Sequence, residues 1–146
     1  MKINFINGPN LNMLGVREPE IYGALTLEEI NSKICDYCIK NNIEPSFFQS
    51  NSEGEIIDYL HSLYNKTDYI ILNPGALTHT SIAIYDAIKS IQIPVIEVHL
   101  SNIYARAEEF RKKSVTAAAC IAVISGFGWI SYLAAIDAIL VMNNRK

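Results

Sequence analysis

The sequence predicts a doubly wound α/β sandwich: a five-stranded parallel sheet with helices on both faces. Three observations carry that expectation. Short apolar, strand-like runs alternate with segments whose hydrophobic residues recur at helical spacing. The run Tyr69-Ile70-Ile71-Leu72 is apolar throughout, as in a strand covered on both sides. A helical segment separates each strand from the next, which implies right-handed crossovers between parallel strands.

Taken in order, residues 2–7 (KINFIN) read as the first strand. A polar stretch rich in Gly and Pro follows over residues 8–23. Thr26-Leu27-Glu28-Glu29 has the form of a capping box, and Leu27, Ile30, Ile34 and Tyr37 share one face of the helix it opens. Residues 45–50 (PSFFQS) read as the second strand, and residues 52–64 as a helix with Ile56, Ile57, Leu60 and Leu63 at helical spacing. The third strand is 69–72, a helix is expected over 80–91, and Pro94-Val95-Ile96-Glu97-Val98 forms the fourth strand. A short helix over 104–112, a fifth strand over 119–125 and a closing helix over 128–142 complete the pattern.

The 146 residues fit one domain, read here as a single catalytic domain spanning 1–146. Half are hydrophobic and 18% are charged, an ordinary globular balance. With a net charge of −3 and no long basic block, nothing points to nucleic acid. No apolar run approaches the roughly 20 residues needed to span a bilayer, and Asn7-Gly8-Pro9-Asn10 breaks the first apolar run too early for a signal peptide. The expectation is a cytoplasmic protein without a membrane partner.

Cys35 and Cys38 form a C-x-x-C, but inside a helix that starts near Thr26 and not at its N-terminus, where a thiol pKa would be lowered. With no second pair for zinc, they read as ordinary helix thiols. His79 and His99 lack a third ligand at a familiar spacing, so no metal site is expected. His61 reads as a surface or packing residue. The absence of G-x-G-x-x-G after the first strand and of a Walker A pattern implies no nucleotide cofactor, and no cofactor of any kind is expected.

In doubly wound sheets a ligand sits beyond the carboxyl ends of the strands. Asn10 follows the first strand, Asn73 and His79 the third, and His99 and Ser101 the fourth. The segment 8–23 is far longer than the roughly 2–6 residues usual between strand and helix, and its Leu11, Leu14, Ile21 and Tyr22 argue against plain disorder. It reads as a lid. Arg17 and Tyr22 lie within it. Read plainly, they are a surface arginine and a loop anchor; read chemically, the guanidinium favours the phenolate of Tyr22 and makes it a base. After the third strand, a helix starting near Thr80 or Ser81 presents free N–H groups to an anion, or is merely well capped. Residues 97 and 99 share a face of the fourth strand, so Glu97 can reach His99 and fix its tautomer. A structural histidine bonded at a strand end is the plainer alternative.

Together these segments resemble the type II 3-dehydroquinases. The likeness runs through N-G-P-N-L-N-x-L-G-x-R-E-P-x-x-Y-G at 7–23, F-Q-S-N-x-E-G at 48–54, L-N-P-G-A-x-x-H-T-S at 72–81, A-I-x-D-A-I at 83–88 and E-V-H-x-S-N at 97–102. The resemblance implies a flavodoxin-like fold and reversible trans elimination of water from 3-dehydroquinate, through an enolate, to 3-dehydroshikimate. By resemblance Tyr22 is the base, Arg17 lowers its pKa and helps close the lid, and Asn10 helps bind the water that stabilises the enolate oxygen. His99 protonates the departing hydroxyl with Glu97 behind it. Asn73, His79, Ser101 and the backbone around Leu100 hold the substrate. Asp86 matches the residue that reaches a neighbouring subunit's site in a homododecamer, a tetramer of trimers. Aromatic biosynthesis and quinate breakdown are both compatible roles.

Two departures stand out. The family pattern S-N-x-x-x-R-E-x-F-R is lengthened by one residue in Arg106-Ala107-Glu108-Glu109-Phe110-Arg111, and one insertion rotates a helix beyond it by about 100°. With Phe110 anchored, the insertion is absorbed at 105–107 and Arg111 meets the substrate carboxylate; otherwise Arg106 or Lys112 takes its place. Ser131 stands where the family commonly has glycine. The competing reading is a non-enzymatic flavodoxin-like module that binds an anionic metabolite, and another is a cofactor-free lyase or hydrolase acting on a different small acid.

Overall fold

The computed structural model describes residues 1–16 and 18–144, apart from the side chains of Pro19 and Tyr22. Strand β1 (Lys2–Asn7) lies between β2 (Glu44–Gln49) and β3 (Tyr69–Asn73), with β4 (Val95–His99) and β5 (Ala122–Ser125) following outward, in the order β2-β1-β3-β4-β5. All four pairings are parallel. The expected five-stranded doubly wound sheet is present. Because the chain leaves β1 for β2 on one side and then returns to place β3 on the other, the crevice between the ends of β1 and β3 is the topological switch point.

Both faces of the sheet are covered, for reasons visible in the residues. Ile3, Phe5, Ile71, Ile96 and Val98 pack under α2 (Leu27–Lys40) through Ile30, Ile34 and Cys38, and under α5 (Ile130–Asn144) through Tyr132, Ala135, Ile136 and Ile139. Ile6, Ile70, Leu72 and Val95 turn to the other face, beneath Ile56 and Leu60 of α3 (Glu53–Ser62) and Ile84, Ala87, Ile88 and Ile91 of α4 (Ile82–Ile91). The alternation along each strand sends neighbouring residues to opposite faces. Burying each of these aliphatic side chains stabilises the fold by about 1.5–3 kcal/mol before entropy is counted.

Local signals set the element ends. The capping box of α2 is formed: the Thr26 side chain accepts from the Glu29 N–H at 3.2 Å, and the Glu29 carboxylate accepts from the Thr26 N–H at 2.8 Å. Ser52 caps α3 and Ser81 caps α4 in the same manner, each hydroxyl accepting a backbone N–H three residues on. Helix α4 therefore begins two residues later than expected, and residues Gly75–His79 form a separate 3-10 turn. The C-x-x-C thiols lie within α2, Cys38 buried and both unbridged.

The segment between β4 and β5 departs most from expectation. In place of one helix over 104–112 there are two 3-10 turns, Ile103–Ala105 and Glu109–Lys112, with Arg106 and Glu108 extended between them. There is therefore no continuous helix here for the additional residue to rotate. Strand β5 is shorter than expected at its start, because residues Ala117–Ala119 form a 3-10 turn. The Ala117 N–H is held by the Ser114 hydroxyl at 3.0 Å, which folds the chain back before the sheet is reached.

Candidate active site

At the switch point the backbones following β1 and β3 are wedged together. A Cβ on Gly8 would lie 2.3 Å from the Pro74 carbonyl oxygen, and one on Gly75 would lie 2.9 Å from that of Pro9. No side chain fits at either position. The Gly8 N–H donates to the Asn73 carbonyl at 2.8 Å, and Gln49 at the end of β2 donates to the Gly8 carbonyl at 3.2 Å. This contact sets Asn10 and Asn73 at one mouth. Asn10 is left-handed with φ 68°, and its N–H donates to the Asn51 side chain at 3.0 Å.

A cavity opens there, lined by Pro9, Asn10, Leu11, Asn73, Gly75, Ala76, His79, His99, Leu100, Ser101, Ile103, Arg106 and Arg111. Thus Asn10, Asn73, His79, His99, Leu100, Ser101 and Arg111, singled out from the sequence, border one space. A second hollow shares Ser101, Arg106 and Arg111 with the first and is roofed by Glu18 and Ile21 from the 8–23 segment. Leu11 and Leu14 root that segment in the α2/α5 core, at 5% and 4% exposure. Its short helix α1 (Pro19–Tyr22) ends at Tyr22. Arg17 lies outside the described residues, as does the Tyr22 side chain. The N-terminus of α4 does not border the cavity; the preceding 3-10 turn does, through Gly75, Ala76 and His79.

Three polar groups are oriented by hydrogen-bond partners within the protein. Asn73 accepts the Gly75 N–H on Oδ1 and donates from Nδ2 to the Tyr132 hydroxyl, both at 3.2 Å. Tyr132 in turn donates to Asn7 Oδ1 at 2.5 Å, and its burial pushes the phenol pKa far up, so it remains a neutral donor. The amide of Asn73 therefore has one orientation. His79 Nδ1 donates to the Lys113 carbonyl at 2.5 Å, which leaves Nε2 as an acceptor. On the far wall, His99 Nε2 lies 2.9 Å from Glu97 Oε2, as the shared strand face predicts.

Glu97 is fully buried, and desolvation alone would push its carboxyl pKa up. Hydrogen bonds from His99, Thr116 and Ser114 outweigh that effect and hold the pKa below the usual carboxylate value. An ionised Glu97 only accepts, so the His99 nitrogen facing it carries a hydrogen. The ring's other nitrogen, Nδ1, is the atom left to exchange a proton with a molecule in the cavity. The hydroxyls of Ser114 and Thr116, and Tyr132 behind Asn73, were not singled out from the sequence. An S-x-T pair in a linking segment carries no local sign that both side chains converge on a strand residue.

The two arginines sit differently. Arg106 donates from Nη2 to the Ser101 hydroxyl at 2.9 Å, while Arg111 lies 3.8 Å from Glu108 and stacks over the Phe110 ring, 5.2 Å from its centroid. Both border the cavity. Asp86 is exposed on α4 and does not. Among the described residues no cluster of three or more His, Cys, Asp or Glu is placed to hold a metal ion.

The model of the family described as dehydroquinase class II matches residues 1–140. The chain belongs to this family. It is 59% identical over 145 residues to a 3-dehydroquinate dehydratase of Clostridium acetobutylicum, covering 99% of this chain and 100% of that protein. A 3-dehydroquinate dehydratase of Clostridium perfringens is 57% identical over 140 residues, covering 95% and 96%. The crystal structure of a type II dehydroquinase from Butyrivibrio crossotus superposes with a TM-score of 0.92 at 51% identity, over 94% of this chain and 96% of that one. The flavodoxin-like fold is thus that of a type II dehydroquinase.

Proposed function

We infer that this chain is a hydro-lyase that converts 3-dehydroquinate to 3-dehydroshikimate within the shikimate pathway, and that His99, held by Glu97, is its general acid. The observation that carries the reading is the His99–Glu97 pair at the wall of a cavity also bordered by Asn10, Asn73, His79, Ser101 and Arg111. Removing a proton beside a ketone and expelling a hydroxyl requires a base, a stabiliser for the developing oxyanion and an acid. Tyr22, assisted by Arg17, is the proposed base, acting from a lid formed by residues 8–23 of a single catalytic domain. Asn10 holds the water that meets the enolate oxygen.

For the substrate's hydroxyls and carboxylate the proposed partners are Asn73, His79, Ser101 and the Leu100 backbone, with Arg111 on the carboxylate. Arg111 borders the cavity together with Arg106, which is bonded to Ser101. No group in this scheme needs a cofactor. The reaction can be followed directly: purified protein with 3-dehydroquinate should give rising ultraviolet absorbance from the conjugated enone product. Flat absorbance would favour a module that only binds an anionic metabolite.

The proposed assembly is a homododecamer, with Asp86 of one chain facing another chain's site, and the proposed location is the cytoplasm. No helix among the described residues is long and apolar enough to cross a membrane. The exposed position of Asp86 and the exposed apolar side chains of Ile82, Tyr104, Phe110 and Ile121 support an assembly. Light scattering should report a mass near twelve chains; a monomer that turns over at full rate would remove the role of Asp86.

A further inference from the structure

We propose that Thr116, Ser114 and Thr78 are positioning residues that form a hydroxyl cradle around Glu97, keeping the acid proton on the His99 ring. The proposal rests on the reading of His99 as general acid. It begins from where the carboxylate stands. Glu97 has no exposed surface, and a buried carboxylate without donors takes up a proton to shed its charge. Here each oxygen has a donor. Thr116 bonds Oε1, and Oε2 receives the Ser114 hydroxyl at 2.8 Å and His99 Nε2 at 2.9 Å.

The direction of the remaining bonds follows from counting protons. Ser114 and Thr116 each have one hydroxyl proton, and both are committed to Glu97. Thr78, fully buried, lies 2.7 Å from Ser114 and 2.9 Å from Thr116, so its single hydroxyl proton is donated to one of these two oxygens. Ser114 also accepts the Ala117 N–H at 3.0 Å. Every hydrogen in the cluster is therefore aimed toward the carboxylate, and aligned donors of this kind polarise one another. The cradle is also tied to the substrate side: the Val115 N–H donates to the Thr78 carbonyl, and the Lys113 carbonyl holds His79.

The consequence is a choice between two arrangements with the same number of protons. In one, the ring is imidazolium and Glu97 is an anion. In the other, the Nε2 proton has crossed to Glu97 and the ring is neutral. Only the first has a strong acid at Nδ1. It gives that proton to the oxygen of the leaving hydroxyl, which departs as water with the electron pair of the broken C–O bond. The ring is left neutral with hydrogen on Nε2, and Glu97 stays ionised. Solvent then returns a proton to Nδ1 and takes one from the base, so none is consumed. Hydroxyl donors stabilise the anion and select the first arrangement.

Thr116→Val keeps the side-chain shape and removes a donor. Its kcat for dehydration should fall at least about tenfold at neutral pH, with KM changed less than about threefold, since Thr116 does not border the cavity. Thr116→Ser should restore most of the rate. Ser114→Ala should fall in the same sense. Histidine 15N NMR supplies a second reading, with His99 assigned among three histidines by the signal lost in His99→Ala. Wild type should show Nε2 protonated, and Thr116→Val should move that signal toward the unprotonated position. Unchanged kcat in both hydroxyl variants, no rescue by serine, or an unprotonated Nε2 in wild type would each overturn the cradle. If Thr116→Val fails to fold, Ser114→Ala and the wild-type spectrum still decide. A His99→Ala enzyme that remained active would instead overturn the acid assignment.

Discussion

Tyr22→Phe should lower kcat for 3-dehydroquinate dehydration by about 10²–10⁴-fold, the usual contribution of a positioned base, while KM stays within a few-fold. The substitution removes one oxygen and keeps the ring, so substrate affinity should be largely kept. A phenol titrating near 10 is ionised in about one molecule in a thousand at neutral pH, and each unit of depression requires about 1.4 kcal/mol of selective phenolate stabilisation. Arg17, five residues earlier in the same segment, is the cation proposed to supply it. Steady-state ultraviolet kinetics across substrate concentration separate the two parameters. A Phe variant turning over near the wild-type rate would mean that the base lies elsewhere.

His99 is the second site of large effect, and two replacements distinguish its roles. His99→Ala should lose turnover by a similar 10²–10⁴-fold and also lose stability, because it strips a donor from a buried anion; breaking such a pair costs about 3–5 kcal/mol. His99→Asn offers an N–H to Glu97 but has no proton to donate as an acid. It should lose turnover equally and retain more of the melting temperature. Thermal melts beside the kinetics check both halves. An Asn variant with substantial activity would show that protonating the leaving group does not depend on this ring.

How much of this was legible in the sequence depended on how local the cause is. The α2 capping box and the continuous apolar run of β3 announce themselves within a few residues, and both formed as expected. The clustering of Asn10, Asn73, His79 and His99 was legible because parallel sheets place all their strand ends on one side. The stretch from 103 to 121 was not. Within it Ser114 and Thr116 bond to Glu97, 17 and 19 residues earlier in the chain, and no periodicity encodes that. The inserted residue near 106 could be noticed but not placed, since an extended link and a rotated helix fit the same letters. The role of Asp86 came from resemblance alone, while for Arg17 and Tyr22 the residues left a plain reading open beside the chemical one. Leu11 and Leu14 argued against a disordered loop, yet only the fold reveals that they seat its root in the core.

The hydrogen bond from Tyr132 to Asn7 joins residues 125 positions apart and sits directly behind Asn73. During synthesis, β1, β3 and β4 all leave the ribosome before α5 does. Until that last helix docks, Asn7 and Asn73 have no phenol to settle their amides, and the substrate crevice is only partly built. A nascent chain stalled short of α5 should therefore lack both this contact and the activity.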